Sequence, residues 1–191
     1  STVGALGQGS SNNLSKDTDL AIAIGTKLAD FTTGSWANFE NPNFKLVSVN
    51  TARYDTTKHL ATPVISDAKV GLQKISEALG DWRAPDPWYQ RAIKERDEWD
   101  AYVEKQSGPT NQEEPSYAHA VGAVYRNSDP SDIVVTAAGG LVGEVVQVWK
   151  PRQLNTFETE WGFSCMGYEI SGALGIKMAK PDQDVVVFVG D

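Results

Sequence analysis

One cysteine and two histidines in 191 residues rule out several chemistries at once. Cys165 has no second cysteine to pair with internally, so nothing points to an oxidising compartment. Two histidines and one cysteine are too few to fill a zinc site. Basic residues are also scarce, 17 Lys and Arg against 25 Asp and Glu, for a net charge of -8. That balance argues against nucleic acid or an anionic membrane surface as partner. No apolar run approaches the roughly 20 residues of a membrane span, and no basic-apolar-small leader pattern opens the chain. A cytoplasmic protein is the expectation. Hydrophobic residues at 40% and charged ones at 22% are ordinary for a globular chain. The length allows one large domain or two small ones.

Along the chain, Gly4, Gly7 and Gly9 lack both the spacing and the preceding strand of a dinucleotide fingerprint and read as a flexible loop. Asp19–Gly25 reads as a buried strand ending in a glycine turn. Leu46–Val49 and Pro63–Ser66 read as two more strands. Ala68, Leu72, Ile75 and Leu79 recur at helical spacing, with Ser66 or Asp67 as N-cap. From Asp81 to Gly108 charges dominate, and Trp88, Ala92, Trp99 and Val103 share one side of a long polar helix. Gly108 breaks that helix and marks a domain boundary. Tyr117, Val121 and Val124 then give a helix stripe, Ile133–Ala137 a strand, and Leu141–Trp149 a helix. The alternation predicts an α/β fold of two Rossmann-like parallel-sheet units.

The most informative stretch runs from Glu160 to Asp191. Gly162-Phe-Ser-Cys-Met-Gly-Tyr-Glu leads into a helix holding Gly172 and Gly175. Two glycines inside a helix cost about 1 kcal/mol each relative to Ala, which points to close approach by a neighbour or a ligand. Val185–Val189 is an unbroken β-branched and aromatic run, the pattern of a strand covered on both faces. It ends in Gly190-Asp191, at the carboxyl end of a strand, where open α/β sheets place ligands. Gly139-Gly140 ends the preceding predicted strand in the same way. For both pairs an ordinary turn remains the alternative reading. Cys165 lacks a histidine in any catalytic motif, since neither His59 nor His119 sits in one, and reads as structural. Glu158, Glu160 and Glu169 are the carboxylates nearest the motif, and each reads as solvated or structural.

Taken together, the motif, the Gly172-Ala-Leu-Gly helix and the strand ending in Gly190-Asp191 resemble the diphosphate-binding domain of thiamine diphosphate enzymes. Asp30-Phe-Thr-Thr-Gly-Ser-Trp36 fits the same family, and within it the chain is most similar to the trihydroxycyclohexanedione hydrolases of inositol breakdown. The resemblance implies that residues 1–80 are the end of a central domain, 81–114 a helical connector and 115–191 the start of the diphosphate-binding domain. It implies thiamine diphosphate and Mg²⁺ as cofactors, with Asp191 as a metal ligand; Mg²⁺ takes oxygen ligands of that kind. It further implies that Gly139, Gly140, Ser164, Cys165, Met166, Gly190 and Asp191 line the cofactor, Met166 propping its bent form. Where the family has Gly-Thr-Met, this chain has Ser164-Cys165-Met166. The family's activating glutamate and second metal ligand match no position here. The implied activity is hydrolysis of a carbon–carbon bond in a cyclic polyol diketone by a homodimer or homotetramer. A related decarboxylase or acetolactate-synthase-like carboligase is one alternative. The other is a non-catalytic fragment of a longer enzyme, an expectation that the ends of the chain encourage.

Overall fold

The computed structural model describes residues 3–190 and separates into two compact units, Ser1–Asp100 and Ala101–Asp191. Each unit is built on a three-stranded, all-parallel sheet, so the fold is α/β with two small Rossmann-like sheets.

The first unit opens with helix α1 (Gly9–Asp17) and strand β1 (Leu20–Ile24). A short helix α2 (Asp30–Thr33), strand β2 (Lys45–Asn50), helix α3 (Arg53–Thr57), strand β3 (Thr62–Ile65) and helix α4 (Ala68–Leu79) follow. The strand order is β1-β2-β3, with Ile22 opposite Val47 and Val49 opposite Val64. Ala23, Leu46 and Ala61 form a core against which Leu28, Trp36 and Phe44 pack. The Trp36 ring lies 4.2 Å from that of His59. His59 therefore has a packing role.

Three sequence expectations change here. The glycine loop before α1 is not free: the Asn12 side chain bonds both the N–H and the carbonyl of Gly4, at 2.9 and 3.0 Å. β1 is not buried on both faces, because Leu20, Ile22 and Ile24 stay exposed at its edge position. In α4, capped by Asp67 through the amides of Lys69 and Val70, Leu72 and Leu79 point outward. The packed side is set by Gly71, where an added Cβ would come within 2.6 Å of Val49 Cγ1.

Helix α5 (Asp86–Ser107) runs through the division between the units. The second unit continues with helix α6 (Tyr117–Asn127), strand β4 (Ile133–Thr136), helix α7 (Gly140–Val148) and strand β5 (Phe157–Thr159). Helix α8 (Tyr168–Ala179) and strand β6 (Val185–Val187) complete it. β4 is central in the order β5-β4-β6, and all four of its residues are buried. Ile133 and Val135 pack under Ala173, Tyr168 and Ile176 of α8, together with Val185 and Val187. In α6 the buried residues are Ala118, Val121 and Gly122, while Tyr117 and Val124 of the predicted stripe are exposed. His119 forms a capping box with Ser116 at the start of α6 and so has a structural role. Strand β6 is half-buried rather than covered on both faces, as its edge position requires.

Candidate functional site

The carboxyl ends of β4 and β6 lie side by side although the strands are not consecutive in sequence. Such a position is where parallel α/β sheets open a crevice for ligands. β4 delivers Ala138, Gly139 and Gly140, and β6 delivers Gly190. Gly139 has φ +108° and ψ 170°, a combination that only glycine tolerates. The two backbones touch: a Cβ placed on Gly190 would lie 2.8 Å from the Ala138 carbonyl oxygen and 3.2 Å from Gly139 Cα. The nearest atoms on both sides of this contact are backbone, so bare backbone meets bare backbone at the strand ends. Helix α7 starts there, with no side-chain cap at Gly139. The first N–H groups of a helix have no intrahelical partner and carry partial positive charge, which suits an anion.

The motif loop runs from β5 to α8. Glu160 follows β5, its own amide extending the ladder to the Thr136 carbonyl. Its carboxylate turns forward and accepts the N–H of Phe163 at 2.9 Å and of Cys165 at 2.8 Å. Bonds from the Cys165 and then the Phe163 amide hold the Glu160 carboxyl below its ordinary range. Within the loop Ser164 takes φ +51°, the left-handed conformation that glycine adopts most easily. Met166 is 80% exposed and Phe163 91% exposed. Cys165 is also exposed, so neither sulfur residue fills a core. Substituting Ser164→Gly removes the left-handed cost of a side chain, about 1–2 kcal/mol, against an added unfolded-state entropy of about 0.5–1 kcal/mol. A small rise in Tm is expected in a thermal melt.

Glu169 sits in the first turn of α8 and is 1% exposed. One carboxylate oxygen accepts the N–H of Ala138 at 3.1 Å, the other that of Gly167 at 2.9 Å. Burial pulls its pKa upward. The amides of Ala138, of Glu169 itself, of Gly167 and of Ala137 outweigh that pull and hold the group below its ordinary range. Glu158, by contrast, is exposed, as expected for a solvated carboxylate.

The structure places Gly139, Gly140 and Gly190 together at adjacent strand ends, and Ser164, Cys165 and Met166 on the loop preceding α8. Asp191 lies outside the described residues. Among those that are described, no group of three or more His, Cys, Asp or Glu side chains is placed to hold a metal. Of the helix glycines, Gly172 makes room for the Tyr168 ring, which a Cβ would approach within 2.9 Å. Gly175 has open space at the same point. The anchoring parts played by Glu160 and Glu169 were not evident from sequence. An acid in a first helical turn was the one available signal for Glu169. The hydroxyls of Thr136 and Thr159, cross-strand neighbours in register, and the indole N–H of Trp161 are buried without a partner among the described residues.

Two family models match the chain. The central domain of thiamine pyrophosphate enzymes covers residues 1–75, and their C-terminal TPP binding domain covers residues 137–191. Together they take in more than half of the sequence. The chain belongs to the thiamine pyrophosphate enzymes. Curated relatives include proteins named 3D-(3,5/4)-trihydroxycyclohexane-1,2-dione hydrolase. The one from Geobacillus thermodenitrificans is 33% identical over 99% of this chain and 33% of its own length. That from Clostridium tetani is 34% identical over the same shares, and that from Lacticaseibacillus casei 33% identical over 98% of this chain. This thiamine pyrophosphate enzyme chain thus spans about a third of the length of the curated relatives it matches. The backbone cradle and the Glu160-braced loop both fall within the TPP binding match. No helix among the described residues is long and apolar enough to cross a membrane.

Proposed function

We propose that this chain contributes the diphosphate-binding part of an enzyme that hydrolyses a carbon–carbon bond of a trihydroxycyclohexane-1,2-dione, a step of inositol breakdown. One observation carries the reading. At the carboxyl edge of a parallel sheet, the Gly139–Gly190 contact leaves only backbone beside the uncapped start of α7. A side chain at either glycine would run into the backbone of the other strand end, and the first N–H groups of α7 suit a diphosphate. The residues present therefore fit thiamine diphosphate. When bound, it supplies an electron sink for cleaving a bond next to a carbonyl.

The chain's own residues bind and orient. The Gly139-Gly140 amides hold the diphosphate end, and Gly190 keeps the floor clear. The Ser164–Met166 loop, braced by Glu160, offers backbone groups and the Met166 side chain to the rest of the cofactor. Asp191 supplies a carboxylate to Mg²⁺, the usual partner of two phosphates. Residues 1–80, 81–114 and 115–191 then correspond to the end of a central domain, a helical connector and the start of the diphosphate-binding domain. The cyclic polyol diketone hydrolases among the relatives support the substrate class. A homodimer or homotetramer in the cytoplasm is the matching setting.

Calorimetry tests this reading. Thiamine diphosphate is expected to bind the purified protein in the presence of Mg²⁺, to be lost on adding EDTA and to return with excess Mg²⁺. Binding that ignores EDTA would remove the metal from the account, and no binding at all would remove the cofactor.

A further inference from the structure

Glu169 belongs to no part of the function described so far, yet it is the largest fully buried side chain among the described residues. Its two oxygens face two different segments. Ala138 immediately precedes the Gly139-Gly140 cradle, and Gly167 closes the Ser164–Met166 loop. These two segments approach the crevice from different strands, and Ala138 lies 31 residues from Glu169 in sequence. Neither tyrosine nor leucine at this place can bond both amides, and a buried N–H left without a partner is costly. The carboxylate stays ionised although it is buried, because several amides converge on it. Its position in the first turn of α8 adds the favourable helix field.

We propose that Glu169 is a positioning residue that ties the glycine cradle to the motif loop, so that both cofactor-facing segments are set by one carboxylate. The proposal rests on the reading of the crevice as a thiamine diphosphate site. It also goes beyond that reading, because it assigns the spacing between the two walls of the crevice to a side chain that never touches the ligand.

Glu169→Gln tests it, since the amide retains the shape and one acceptor but presents N–H to N–H on the other side. Hydrogen exchange is followed on peptides covering 137–141 and 163–168, alongside thiamine diphosphate affinity with Mg²⁺. Both segments are expected to exchange about tenfold faster together, and the cofactor Kd to rise about tenfold, the scale of one charged hydrogen bond. Exchange in β1 to β3 should stay unchanged. Faster exchange in one segment only, or in both with an unchanged Kd, overturns the positioning role.

If E169Q does not fold, the wild type still decides. Thiamine diphosphate is expected to slow exchange of both segments by the same factor, and protection of one alone overturns the coupling. A wild type that binds no thiamine diphosphate overturns the proposed function and the positioning role with it. One that binds, beside an E169Q protein that binds equally well, overturns the positioning role alone.

Discussion

Gly190→Ala is expected to abolish measurable thiamine diphosphate binding while leaving the first unit folded. The added methyl would sit 2.8 Å from the Ala138 carbonyl oxygen and 3.2 Å from Gly139 Cα. Both are backbone atoms, so no side-chain rotation relieves the contact. Either the end of β6 or the end of β4 must shift, and each carries part of the cradle. Overpacking of a close contact costs about 1–3 kcal/mol, and here it displaces the groups that face the ligand. Two measurements separate the effects. Calorimetric titration should show binding weakened beyond detection, whereas exchange protection of β1 to β3 should match the wild type. An alanine variant that binds normally would show that the crevice floor is not where the cofactor lies.

The second large effect is expected from Glu160→Ala. Removing this carboxylate leaves the Phe163 and Cys165 amides without their acceptor and frees the segment between them. Ser164 holds φ +51° inside that segment, so the loop has reason to relax once its brace is gone. Cys165 is exposed and is the chain's single cysteine, which makes thiol labelling a site-specific report on this loop. Labelling in E160A is expected to quicken, and cofactor affinity to fall by about tenfold or more, since two charge-assisted bonds are lost. Unchanged affinity would mean that the loop is not a wall of the site.

The same carboxylate sets a pH window. Its folded-state pKa lies below the ordinary value of 4.5, so its contribution is fully present above that value and is lost as pH falls through the folded pKa. Loop order, read as the Cys165 labelling rate relative to a free-thiol standard at each pH, should therefore be flat from neutral pH down to the ordinary carboxylate range and fail only below it.

The sheets were legible because parallel strands in α/β folds are short, β-branched runs between turn signals. β4 and β2 fit that pattern directly, as do the helices that follow β3 and β4. The helix faces were less legible. Much of the packing in α4, α6 and α8 falls on small residues: Gly71 against Val49 of β2, Ala118 and Gly122 beside the fully buried Val121, with Gly122 against Ser107, and Ala173 over Ile133 and Val135. A periodicity count rewards Leu and Val instead: it found Val121, which is fully buried, but also chose Leu72, Leu79 and Val124, which are exposed. The glycines of the site were legible as a motif, but not their mutual contact, which needs the β4–β6 pairing. Glu169 was read as solvated or structural, and it is structural. Its role as a bridge depends on Ala138, a neighbour that only the folded sheet brings near.

The most direct test of the site as a whole is protection of Cys165. The purified protein is labelled with a thiol reagent, with and without thiamine diphosphate and Mg²⁺ at saturating concentration. If the loop preceding α8 lines the cofactor, labelling slows markedly with both present, and EDTA restores the original rate. If the rate is the same in every condition while calorimetry shows the cofactor bound, the cofactor lies elsewhere and the account of this site is wrong.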